Sequence, residues 1–208
     1  SSGSLRAASN NVTGIAFLGP SSGRLDLNGA AVSFDVAPLT LFGNADLANA
    51  TPSLQVNAAI VDSLASGAGL LKTGNGLLQL SGSSTFSGGV SVLSGGLSIG
   101  ANSIPLAVGT VVTSGPVGTG LLSMGTGTVL QASVSGTLAN DFALGGSLIY
   151  RGMNALTLNG ITTLGSGQTI INVEAPQGTL ILGGTLGGMD ETSALVKAGL
   201  GSLQLQAN

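Results

Sequence analysis

Short runs in which an apolar residue returns at every second position, each cut off after a few residues by Gly, Ser, Asn or Pro, constrain this chain more than any other feature. The runs include Leu25-Asp26-Leu27, Val32-Ser33-Phe34-Asp35-Val36, Leu54-Gln55-Val56, Leu78-Gln79-Leu80, Val90-Ser91-Val92, Leu97-Ser98-Ile99 and Leu203-Gln204-Leu205. A period of two puts Leu, Val and Ile on one face of a strand and the polar residue on the other. Asn-Gly pairs at Asn28, Asn75 and Asn159 supply turns between runs. Nowhere do apolar residues hold helical spacing over ten residues with charged partners opposite. The best helical candidate is the short segment 57–65. The expected class is therefore all-β.

Repetition selects among the all-β folds. Leu70-Leu71-Lys72-Thr73-Gly74-Asn75-Gly76-Leu77-Leu78-Gln79-Leu80 returns as Leu195-Val196-Lys197-Ala198-Gly199-Leu200-Gly201-Ser202-Leu203-Gln204-Leu205. A weaker copy spans 120–131. These offsets sit near multiples of 25, a solenoid period. One such unit would make one coil of two or three short strands, stacked on the next at about 4.8 Å. The 208 residues would form eight or nine coils, open at both ends, in a rod on the order of 40 Å long. Inward Leu, Val and Ile would line the coils, with Gly at corners that need positive φ.

Composition agrees and narrows function. Charged residues are 6% of the chain, against about 25% in average domains, so charge is expected outside the coils or nowhere. Five basic residues are scattered, and no cluster could neutralise phosphates, which argues against nucleic acid binding. The absence of Cys rules out disulfides and thiolate metal sites. No stretch of about 18 apolar residues runs uninterrupted, so no membrane-spanning helix is expected. The first ten residues lack a charged start and an apolar core, and the start reads as a cut from something longer.

Segment 69–100 resembles the passenger-associated transport repeat of bacterial autotransporters. The resemblance rests on Gly69-Leu70-Leu71-Lys72-Thr73-Gly74-Asn75-Gly76-Leu77-Leu78-Gln79-Leu80-Ser81-Gly82, then Phe86, Gly88-Gly89, Val90-Ser91-Val92 and Gly96-Leu97-Ser98-Ile99-Gly100. Ser83-Ser84-Thr85 stands where the family pattern has Asn before the aromatic, and a second copy covers 195–208. The resemblance implies that residues 1–208 form a single right-handed parallel β-helix fragment of a larger passenger. It further implies display at the surface of a Gram-negative bacterium, or secretion from it, with a C-terminal outer-membrane β-barrel of the same protein, absent from this chain, as partner. The implied role is a structural stalk that supports export and presents an adhesive or effector region. An adhesin whose β-helix face itself mediates self-association or host binding is the alternative, and a polysaccharide-active enzyme is a third reading. The family's activities reside in inserted domains or long loops, and no large insertion is evident in the sequence.

The residues nominate no catalytic, cofactor-binding or metal-ligating site. His, the commonest general base and metal ligand, is absent. Gly96-Leu97-Ser98-Ile99-Gly100 matches a serine-hydrolase string but lies in a strand pattern and has no His partner, so Ser98 reads as an outward strand residue. Asp190 and Glu191 read as a solvated turn. Asp26 and Asp35 could stack on adjacent coils, which would be the one candidate carboxylate pair. Arg24 shares a face with Asp26 and reads as its weak ion-pair partner. Lys72 and Lys197 read as snorkelling corner residues, with capping of turn carbonyls as the sharper reading. Phe17, Phe34, Phe42, Phe86 and Phe142 read as core, and Tyr150 is the only Tyr. The sequons Asn11-Val12-Thr13 and Asn49-Ala50-Thr51 read as accidental given the bacterial resemblance.

Overall fold

In a computed structural model the chain is an all-β stack of parallel strands, described for residues 3–7, 15–40, 44, 50–65, 67–188 and 190–206. The sequon at Asn11, Phe42, Asp46 and Asn49 lie outside the described residues. Coil 1 comprises β1 (Gly3–Ala7), β2 (Ala16–Leu18) and β3 (Arg24–Asp26). Coil 2 comprises β4 (Val32–Val36), β5 (Leu54–Val56) and β6 (Ala59–Val61). Coils 3 and 4 have two strands each: β7 (Leu70–Thr73) with β8 (Leu77–Leu80), then β9 (Val90–Val92) with β10 (Gly96–Ile99). Coil 5 holds β11 (Leu122–Met124), β12 (Thr128–Ala132) and β13 (Gly136–Leu138). Coil 6 holds β14 (Phe142–Leu144), β15 (Leu148–Tyr150) and β16 (Ala155–Leu158). Coil 7 holds β17 (Thr162–Leu164), β18 (Gln168–Val173) and β19 (Thr179–Leu182). Coil 8 ends the stack with β20 (Leu186–Gly187), β21 (Ala194–Ala198) and β22 (Ser202–Leu205).

The pairing order shows a parallel β-helix of eight coils. The first sheet runs β1-β4-β7-β9-β11-β14-β17-β20 and the second β2-β5-β8-β10-β12-β15-β18-β21. A third side holds β3-β6 and, further along, β13-β16-β19-β22. Every strand pair in these sheets is parallel, with each strand bonded to the equivalent strand of the next coil. Segment 57–65 contains strand β6 and no helix: Ala59 to Val61 pair with Arg24 to Asp26, so ladder bonds take the place of helical ones.

The coils are not of one length. On the first sheet the shortest spacing is 20 residues, as between Leu70 and Val90, Leu122 and Phe142, and Phe142 and Thr162, and on the second Leu78 to Leu97 takes 19. Val32 to Leu70 takes 38 residues and Val90 to Leu122 takes 32. In coil 2 the extra residues fall between β4 and β5, and in coil 4 they form an excursion at 101–119, where no large insertion had been expected. The weak copy at 120–131 also sits differently from its alignment. Leu122 falls in register with Val90 and Leu70, an offset of 52 rather than 51. In a strand, one residue exchanges the inward and outward faces.

Alternation builds the core as columns. Leu54, Leu78, Leu97, Leu130, Tyr150 and Val173 stack in register along the second sheet, all buried. Val90, Leu122 and Phe142 stack likewise on the first. Burying one such side chain contributes roughly 1.5–3 kcal/mol, and the columns repeat that gain along the rod. Tyr150 fits because its hydroxyl donates to the Asn154 carbonyl at 2.7 Å, and burial raises its pKa well above the ordinary value. Phe34, Phe86 and Phe142 are core. Phe17 is not: it occupies the outward position of β2, opposite Gln55, and is 62% exposed.

Candidate functional site

Four aspartates work at the corners. Asp26 accepts the backbone N–H groups of Asn28 and Ser63 at 2.9 and 3.1 Å. Hydrogen bonds from Ser63, then Asn28, hold its carboxyl below the usual range. Asp62 accepts from the N–H groups of Gly29 and Ala68, and Asp141 from that of Ile161. Asp190 accepts from the Thr192 hydroxyl and N–H and from the Ser193 hydroxyl, which lowers its pKa in that order of partners. A carboxylate at a corner satisfies donors that no ladder partner reaches.

Asp26 and Asp35 do not form a pair. Asp26 closes β3 on the third side, whereas Asp35 lies in β4 of the first sheet, opposite Arg6, with 3.7 Å between the charged groups. Arg151 of coil 6 meets Glu174 of coil 7 at 2.8 Å. Ser98 points outward as expected, yet it is fully buried. Gln131 Nε2 lies 3.3 Å from its hydroxyl and donates to the Ala50 carbonyl at 3.1 Å. Ala50 of coil 2 thus reaches the outer face of coil 5.

Lys72 departs from its snorkelling reading and fits the sharper one, capping of turn carbonyls. It occupies an inward position of β7, between Phe34 and Val92 in the register, and is fully buried. The ammonium does not snorkel. It donates to the carbonyls of Thr73 at 2.8 Å, Gly74 at 2.7 Å and Ser94 at 3.1 Å. Burial lowers its pKa to about 8, and the nearby Asp35 carboxylate opposes that shift. Charge is tolerated inside because every donor of the ammonium finds an oxygen. Lys197 repeats the inward placement, opposite Ile171, and donates to the Gly199 carbonyl, but it is exposed.

A cleft of about 460 Å³ opens on the surface. The coil 4 excursion forms one wall with Val108, Thr110 and Val111, and the stacked corners of coils 5–8 form the other with Asp141, Asn159 and Ile161. Asn159 Nδ2 ties the walls together by donating to the Leu106 carbonyl at 2.7 Å. Asn140 anchors the corner, its amide donating to the carbonyls of Gly118 and Gly120. Asp141 is the lone titratable residue in the described lining, so the cleft assembles no acid–base pair. Sequence reading missed this cleft because the excursion has no charge and no motif. Pro105, Gly109, Gly115, Pro116 and Gly118 were its signal.

Among the described residues no group of three or more His, Cys, Asp or Glu could hold a metal ion. Among them, too, no helix is long and apolar enough to cross a membrane. Searches of protein-family models, curated proteins and solved structures find no match to this chain.

Proposed function

We propose that this chain is a stalk segment of a secreted or surface-displayed bacterial passenger of the autotransporter type, supporting export and holding an adhesive or effector region away from the cell. The observation that carries the reading is the unbroken order of the first two sheets through all eight coils. A stack in which each coil adds about 4.8 Å gives reach and stiffness in proportion to sequence. Asp26, Asp62, Asp141 and Asp190 satisfy backbone donors at corners, which suits a spacer. The repeat at 69–100 adds the export role and the partner, an outer-membrane β-barrel of the same protein in a Gram-negative cell.

The test is display. The chain would be placed between an N-terminal epitope and an outer-membrane barrel, and epitope accessibility measured on intact cells. The expected result is a surface epitope that is lost when coils 3–7 are disrupted by Leu80→Asp. An epitope retained inside the cell with the native chain would overturn the reading.

A second reading, an adhesin acting through its own face, draws on one observation. The uncharged excursion exposes Ile104, Leu106, Val108 and Val111, the last at 85%. Cells displaying the chain would then aggregate, and Val111→Asp would abolish the aggregation. The enzyme reading would require a glycan-cleaving activity that Asp26→Asn removes, and the occupation of that carboxylate by backbone donors gives it little to work with.

A further inference from the structure

The corners of coils 3 and 4 are built around a cation. Three carbonyl oxygens, from Thr73, Gly74 and Ser94, converge on the Lys72 ammonium at 2.7–3.1 Å. Two belong to coil 3 and the third to coil 4, so the group spans a coil boundary. The Ser94 hydroxyl also donates to the Gly74 carbonyl at 3.3 Å. Glycine makes the convergence possible: a Cβ on Gly95 would sit 2.4 Å from the Gly74 carbonyl oxygen and 2.5 Å from that of Gly76. No carboxylate bonds the ammonium. Asp35, whose charge acts on the ammonium, is itself engaged with Arg6. Peptide dipoles therefore hold the charge, and the number of acceptors equals the number of donors on a primary ammonium.

We propose that the paired corners of coils 3 and 4 form a binding site for a primary ammonium group, which the native chain fills from within by Lys72 and thereby fastens one coil to the next. The site selects an ion that carries one alkyl substituent and three N–H donors. A quaternary ammonium, with no donor, is excluded. Shortening the side chain empties the site without removing the carbonyls, and a small alkylammonium ion from solution then takes the vacated place. Lys197 provides the contrast, because no described coil follows coil 8 to bring a carbonyl from beyond the boundary.

The test is chemical rescue in the full 208-residue chain. Urea unfolding midpoints would be measured for the native chain, Lys72→Ala and Lys197→Ala, with added n-propylammonium chloride or with tetramethylammonium chloride at equal ionic strength. The expected result is a large loss of midpoint in Lys72→Ala that n-propylammonium restores with saturation and tetramethylammonium does not. Lys197→Ala should lose little and respond to neither salt. Lys72→Met, which refills the alkyl space but supplies no donor, should remain low and unresponsive; it also serves if the alanine variant does not fold. A native midpoint in Lys72→Ala or Lys72→Met, or equal rescue by both ions, would overturn the proposal.

Discussion

Residues 70–80 and 195–205 are near copies, yet they occupy different corners of the coil. The first copy leads from the first sheet to the second, through β7 and β8. The second leads from the second sheet to the third side, through β21 and β22. In both, the Lys side chain points inward and reaches the carbonyl of the Gly two residues on. In both, that Gly has a φ near +75°. The motif therefore encodes a corner: strand, inward Lys, left-handed Gly, strand. What differs is the covering. Coil 4 lies on coil 3 and seals Leu70, Lys72, Leu78 and Leu80, whereas Lys197 and Leu205 have no described coil above them. Equal sequence with unequal burial separates the worth of the corner from the worth of the stack.

The largest expected difference between the copies is at the last Leu. Leu80 is 1% exposed and Leu205 is 57% exposed. Leu80→Asp should cost on the order of 4 kcal/mol, because an unpaired carboxylate would enter an apolar column. Leu205→Asp should cost about 0.5 kcal/mol, as expected at a solvated position. Gln79→Asp should also lie near the small value, since Gln79 faces outward and its amide bonds only the Ser81 hydroxyl. Urea midpoints at constant m-value check all three. Similar losses for Leu80→Asp and Leu205→Asp would mean that stacking contributes little beyond the single coil.

Corner glycines give the next contrast, this time within the sealed part of the rod. Gly74 has φ +74°, and a Cβ there would lie 2.5 Å from the Val36 carbonyl oxygen. Gly127, at the matching corner of coil 5, has φ +76° with nothing within 4 Å of a Cβ. Gly127→Ala should lose only about 1 kcal/mol, the cost of left-handed backbone. Gly74→Ala should lose roughly 3 kcal/mol, since backbone of the neighbouring coil must also shift. Equal thermal shifts would show that conformation alone, and not the closeness of stacked corners, demands glycine.

Strands were the legible part of this sequence. The alternation at Val32–Val36, Leu54–Val56 and Val90–Val92 marks them, and its inward face is the buried face. The repeat pointed to stacked coils, and stacked coils are present. Which corner a repeat serves was not legible, because the motif is local and carries no information about the side of the coil it starts on. Coil length was obscured by an excursion whose Ile, Leu and Val resemble strand residues. Capping of turn carbonyls by Lys72 was one of its readings, but its burial was hidden by a sound rule misapplied: a buried charge is costly, yet backbone oxygens relieve it. The acids were hidden similarly, since Asp26 and Asp62 find their partners in N–H groups of the neighbouring coil.

Titration supplies the most specific test of the sealed corner. Burial holds the Lys72 pKa at about 8 in the folded chain, against about 10.4 for an unfolded Lys. Between those values the unfolded chain binds more protons than the folded one, so stability must rise with pH across that window. The slope from one such group is at most about 1.4 kcal/mol per pH unit. Tyr150 acts in the opposite sense. Its pKa is raised by burial, so above about pH 10, where an unfolded Tyr ionises, the folded chain retains the extra proton and stability falls with pH. Urea midpoints followed from pH 7 upward should therefore climb and then turn over. Lys72→Met should remove the climb and leave the fall. A climb that survives Lys72→Met would place its origin in another group and would remove the sealed ammonium as the feature that distinguishes the covered corner from the open one.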